Sequence, residues 1–320
     1  MSAGHDHKPH QAHGDLTARA AILSVSVATF LLLLKTYAAW VTDSVAMLGS
    51  LADTALDVLA SLITLYGVRL AAVPADREHR FGHGKAEAIA ALFQVGIITF
   101  SAVGIGWRSA DRLLHGRTTA DAEYGIAVSL IAIATTFGLL WYQRRVIART
   151  GSVAIQTDHV HYQSDLLLNL SVIAALLLDQ YVHLSGADPI LGIAIALWLA
   201  WGAWKASSRA IDQLMDKEWP EEKRRRFVEV AARHPELKGI HDLRTRTSGM
   251  HDFVQFHVWV DPAMTVLEAH RVMDEVEHKL EAEFPACEIL IHLDPEGQVD
   301  QPDNPLAETD LTEGNPGLTA

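Results

Sequence analysis

Four side chains of types that can bind divalent cations sit inside otherwise apolar stretches of this chain. Asp53 and Asp57 lie in LGSLADTALDVLASL, and His161 and Asp165 lie in TDHVHYQSDLLLNLSV. Each pair is spaced i, i+4, so each shares one face of a helix. Carboxylates and an imidazole within lipid-length segments are costly unless they bind something or line a polar cavity. Two such pairs from two helices supply oxygen and nitrogen donors in a number that suits a tetrahedral cation, zinc first among them. The same groups titrate, so metal and protons compete for them, which is a physical basis for exchange. The bland alternative for any single Asp is a solvated span end or a bond to a neighbouring helix. Two pairs on two spans favour the metal.

Two further groups carry ligand types. Asp76, His79 and His83 fall in PADREHRFGHGKAE with the spacing D-x2-H-x3-H; exposed histidines in a charged loop read equally well there. Near the C-terminal end, His241, His257, His270, His292 and Asp294 fall at strand ends and on a helix of a predicted small domain. One edge of that domain could gather them into a cluster bridged by the carboxylate. His5, His7, His10 and His13 form a short tract, read either as weak metal capture or as a solvated tail.

The elements that must position these groups follow from composition. The 320 residues are 49% hydrophobic, yet apolar runs dominate only up to about Asp212. Six runs, near 19–41, 45–70, 87–112, 122–144, 153–181 and 188–211, are long enough to cross a bilayer core, which needs roughly 20 helical residues. Such runs are far too long for barrel strands. Lys and Arg alternate between the connecting loops: Arg69, Arg77, Arg80 and Lys85 on one side, then Arg144, Arg145 and Arg149, then Arg209, Lys217 and Lys223. That bias places both termini in the cytoplasm. MSAGHDHKPHQAHGD does not read as a cleavable signal, and residues 1–18 read as a His-rich cytoplasmic tail.

Residues 213–296 read as a soluble α+β domain of order αββαβ. A helix fits PEEKRRRFVEVAARH, two alternating strands turn at Ser248–Gly249, a second helix fits MTVLEAHRVMDEVEHKLEAEF, and a last strand fits CEILIHLDP. Residues 297–320 are rich in Pro, Asp, Glu, Thr, Asn and Gly and read as disordered. The net charge of −13 argues against nucleic acid as a partner. The one cysteine, Cys287, excludes an internal disulfide and a cysteine-based zinc site, whereas 17 histidines point to imidazole and carboxylate chemistry.

Taken together, ADTALD, PADREHRFGHGKAE, DHVHYQSD, GIHDLRTRTSG and ILIHLDP occur in the order and at the separations that mark one family. The chain resembles the cation diffusion facilitators, most closely their bacterial zinc and ferrous-iron efflux branch, from about Thr17 to Pro295. The resemblance implies a homodimer in the bacterial inner membrane, each chain with six transmembrane helices and a metallochaperone-like cytoplasmic domain. It implies export of divalent metal in exchange for protons. It matches Asp53, Asp57, His161 and Asp165 to a transport site, and Asp76, His79 and His83 to a loop site. His241, His257, His270, His292 and Asp294 match a cytoplasmic two-metal site, where zinc is structural or regulatory. Lys85 and Asp216 match a charge interlock between protomers.

Zinc is the expected cargo, with cadmium and ferrous iron as other candidates, because donor type alone separates these ions poorly. A membrane-embedded metalloenzyme would use the same ligands to activate water, but there is no HExxH helix or adjacent general base. A membrane-anchored metal sensor would not need paired ligands within two spans. A channel would differ in showing no coupling to a pH gradient.

Overall fold

The computed structural model describes residues 8–42, 45–115, 123–182, 187–284, 287–296 and 311. The chain divides near residue 211 into two units, a helical one and an α+β one.

Six long helices make up the first unit: α1 (Lys8–Thr42), α2 (Val45–Ala71), α3 (Ala86–His115), α4 (Glu123–Thr150), α5 (Val153–Val182) and α6 (Ala187–Leu214). Among the described residues four are long and apolar enough to cross a membrane by length and composition: Gly14–Val41, Asp53–Ala71, Ala86–His115 and Pro189–Leu214. α5 carries Asp158, His159, His161 and Asp165, which breaks up its apolar run. α1 starts at Lys8, so residues 8–18, read from sequence as tail, continue into the same helix as the first apolar run.

This unit exposes large apolar side chains and buries polar ones among the small and aliphatic residues of its interior, unlike a soluble bundle. Phe100, Val103, Trp107, Leu197 and Trp204 are exposed, while Ser24, Thr64, Gln94, Gln143 and Asp158 are buried. Lipid tails leave an apolar exterior in place, and buried polar groups then bond to one another across helices. α2 and α3 approach closely because position 67 is glycine: a Cβ there would collide with the Cβ of Ala90. α5 is started by Ser152, whose Oγ accepts from the Ile155 amide at 3.3 Å and donates to Glu87 Oε2 on α3 at 2.8 Å. This fixes the start of α5 against α3.

The second unit has the predicted order: α7 (Glu221–Ala231), β1 (Lys238–Ser248), β2 (His251–Val260), α8 (Val266–Glu283) and β3 (Cys287–Pro295). The sheet runs β1-β2-β3, with β1 antiparallel and β3 parallel to β2. Alternation along the strands sends Ile240, Val254, Phe256, Val258 and Ile291 into one core with Phe227 of α7 and Met273, Val276 and Leu280 of α8. α8 starts in a capping box in which Thr265 and Glu268 bond reciprocally. The tail read as disordered lies mostly outside the described residues. Leu311, which is described, donates its amide to Ile240 O at 2.8 Å and rests against this core.

Candidate metal centres

α2 and α5 bring Asp57, His161 and Asp165 together, with one ligand atom of each within 4.8 Å of the others. His161 Nε2 stands 3.0 Å from Asp57 Oδ1 and 3.9 Å from Asp165 Oδ2. The His161 side chain is buried and the two carboxylates are partly open, at 19% and 29% exposure. Buried imidazole with two reachable carboxylates gives an N/O donor set of the kind that holds a divalent cation and keeps a coordination position free. The structure does not bring Asp53 into this group. One helical turn from Asp57, its carboxylate is 63% exposed and lies 4.0 Å from Arg108 Nη1 of α3. Lys35 of α1 reaches the same level and donates to Thr54 Oγ1 at 2.6 Å.

The loop between α2 and α3 folds around Asp76. Its Oδ1 accepts from the amides of Glu78 at 2.8 Å and His79 at 2.6 Å, the closed turn that Asp favours. These amides, the His79 one foremost, hold the Asp76 carboxyl below its ordinary range. His79 Nδ1 and His83 Nε2 face the two carboxylate oxygens at 3.3 and 3.5 Å. The three predicted loop residues therefore form one group, open to solvent at Asp76 and His79.

In the α+β unit, strand register does the gathering. His241 pairs with His257 across β1 and β2, and His257 pairs with His292 across β2 and β3. The three imidazoles thus form a row across the sheet. Asp294, two residues beyond His292, stands on the same face as that row. Its Oδ2 lies 2.8 Å from His257 Nδ1 and 3.2 Å from His241 Nε2, and its Oδ1 lies 3.3 Å from His292 Nε2. The carboxylate is nearly buried, and all three rings address it.

The β1 register breaks on both sides of His241, where Gly239 and Asp242 both take positive φ, at 58° and 47°. Gly239 is required twice over, since a Cβ would also strike the Trp259 ring. Its carbonyl lies 2.6 Å from His241 Nδ1, which leaves Nε2 facing Asp294.

His270 is not drawn into this cluster. Its neighbour Ala269 and Met273, Val276 and Leu280 occupy the buried face of α8, so His270 falls on the exposed side. Of the interlock pair, Lys85 precedes α3 and belongs to the helical unit. Asp216 belongs to the α+β unit, where it takes φ 53° and pairs with Arg246 at 3.7 Å. His5 and His7 lie outside the described residues, and His10 and His13 lie in the first turns of α1.

Sequence reading missed Asp158. It lies in the same TDHVHYQSD run, is fully buried, and accepts from Ser24 Oγ, Gln94 Nε2 and Gln143 Nε2 at 2.7, 2.9 and 2.8 Å. A carboxylate three residues ahead of a candidate ligand, inside an apolar stretch, was the available signal.

Residues 21–215 match the family model described as the cation efflux transmembrane domain, and residues 219–296 match that of the cation efflux protein cytoplasmic domain. The chain belongs to the cation efflux family. The division into a helical and an α+β unit follows that of the two family models. The Cation-efflux pump FieF of Cronobacter sakazakii is 38% identical over 88% of this chain and 94% of its own. That of Pectobacterium atrosepticum is 39% identical over 90% and 95%. That of Klebsiella pneumoniae is 37% identical over 91% and 96%. As a member of this family the chain is a membrane transporter of cations and not an enzyme.

Proposed function

We propose that this cation efflux protein exports zinc from the cytoplasm of a bacterium in exchange for protons, with Asp57, His161 and Asp165 as the core of the transport site. The observation that carries this reading is the convergence of a buried imidazole from α5 on two carboxylates from two helices within the apolar unit. Two oxygens and one nitrogen suit zinc, with cadmium and ferrous iron as competing cargo. Asp53, one turn away on α2, is the fourth donor. In the absence of cargo the same oxygens and ring nitrogen take up protons, so loading metal releases protons and unloading it restores them.

The His241, His257, His292 and Asp294 cluster binds zinc in the cytoplasm, as a structural or regulatory ion rather than as cargo. The chain works as a homodimer in the inner membrane, with both termini cytoplasmic. In that assembly His270 serves the cytoplasmic site from outside the cluster, and Lys85 and Asp216 form a charge interlock between protomers. The basic loops beside Asp76 support the orientation, and the loop site would meet the ion before the bundle does.

Zinc flux and proton flux measured together in liposomes test the reading. Zinc movement should drive opposite proton movement in the unmodified chain, and both should vanish in His161→Ala. Zinc flux indifferent to an imposed pH gradient would remove the exchange mechanism, and full flux in His161→Ala would remove the site.

A further inference from the structure

The carboxylate of Asp158 is held by three different helices. Ser24 comes from α1, Gln94 from α3 and Gln143 from α4, and all three donate to it. The net extends further. Gln143 Nε2 also donates to Ser24 Oγ at 3.1 Å, and its Oε1 lies 3.1 Å from His159 Nδ1. Gln94 also bonds Thr64 of α2. Tyr162 OH, next to His161, donates to Ser24 O at 3.1 Å and meets Ser61 Oγ of α2 at 2.7 Å. Five helices therefore meet through α5 at one level of the bundle.

An ionised carboxylate only accepts hydrogen bonds, and here each of its three donors is neutral. The amides and hydroxyl that occupy it would have to leave before a cation could enter, so Asp158 is built as an anchor and not as a ligand. It lies three residues before His161, hence on the same side of α5. A rotation of α5 by about 20° would move a side-chain tip roughly 6 Å from the helix axis by about 2 Å. The 3.0 Å approach of His161 to Asp57 would not survive that movement.

We infer that Asp158 is a positioning residue of the transporter: by tying α5 to α1, α3 and α4 it fixes the rotation that presents His161 to Asp57. The inference rests on the transport-site reading above. Removing the carboxylate should therefore weaken metal binding at the membrane site and change its coordination, beyond any loss of stability.

Cobalt is a suitable probe, since its visible spectrum reports coordination geometry. The full chain carrying His79→Ala and His257→Ala, which disable the other two clusters, would be titrated with cobalt in detergent. Asp158→Ala in that background should lower affinity by about tenfold or more and alter the spectrum. Asp158→Asn keeps an accepting oxygen among donors that can turn end for end, and should recover most of the affinity. Ser24→Ala and Gln143→Ala each remove one tie and should give smaller losses, about threefold, and they carry the test if Asp158→Ala does not fold. Cobalt binding that is lost in His161→Ala but keeps its affinity and spectrum in Asp158→Ala, or in both single-tie variants, would overturn the inference alone. Absence of binding in the background, or binding indifferent to His161→Ala, would overturn the transport-site reading and the inference with it.

Discussion

His161 of α5 and Asp57 of α2 meet at 3.0 Å although 104 residues separate them in the chain. Each is also one helical turn from a second carboxylate, Asp165 and Asp53 respectively. The two halves of the centre are not equivalent: Asp165 joins the contact and Asp53 faces Arg108.

That asymmetry sets the order of effects for substitutions. Asp57→Ala and Asp165→Ala should each lower zinc flux in liposomes by roughly 100-fold or more, since both remove a donor at the shared atom cluster. Asp53→Ala should cost less than either. Equal losses across all three would mean that Asp53 is an equal partner during transport.

Asp294 is the hub of the cytoplasmic cluster, so Asp294→Ala should abolish its response to metal. A ligand at a hundredfold excess over its Kd stabilises a fold by about 2.7 kcal/mol, and a hundredfold loss of affinity reduces that to about 0.4 kcal/mol. Thermal unfolding of the α+β unit within the full chain, with and without zinc, measures the difference. An undiminished zinc-induced rise in Tm in the variant contradicts the cluster.

Gly239→Ala should destabilise the α+β unit by about 1–3 kcal/mol from the positive φ alone, with the clash against Trp259 added. It should also weaken zinc binding, because the Gly239 carbonyl sets the orientation of His241. Denaturant unfolding followed by a zinc titration separates the two effects.

Burial pushes the Cys287 thiol up to about 12 from an ordinary value of 9.0. The unfolded chain therefore loses this proton first. The contribution is constant below pH 9.0 and becomes increasingly unfavourable to the fold as pH rises from 9.0 towards 12, by about 1.4 kcal/mol per pH unit. Alkylation of Cys287 in the native chain near pH 8 should be far slower than that of a free thiol, and it should speed up on unfolding. Rapid native labelling would show that the thiol is not desolvated.

Much of this was legible in one dimension. The αββαβ order followed from period-two strands and amphipathic helices, whereas the row of three histidines comes from strand register, which the residue pattern did not give. The loop group was legible because its residues lie within eight positions of one another. Asp158 was harder to see: its importance comes from Ser24, Gln94 and Gln143, ordinary residues scattered over three helices.

Local chemistry alone determined which side chains are of types that bind a cation and where long helices give way to an αββαβ order, since these depend on residue type and on the fixed periods of helix and strand; of the six apolar runs, four helices are long and apolar enough to cross a membrane among the described residues. Tertiary structure decided which donors share an ion. It set Asp57 against His161, left Asp53 beside Arg108 and put His270 on the outer face of α8. Those outcomes depend on helix rotation and strand register, which are fixed by contacts between distant segments: the hydrogen bonds around Asp158 in one unit and the apolar core beneath the sheet in the other.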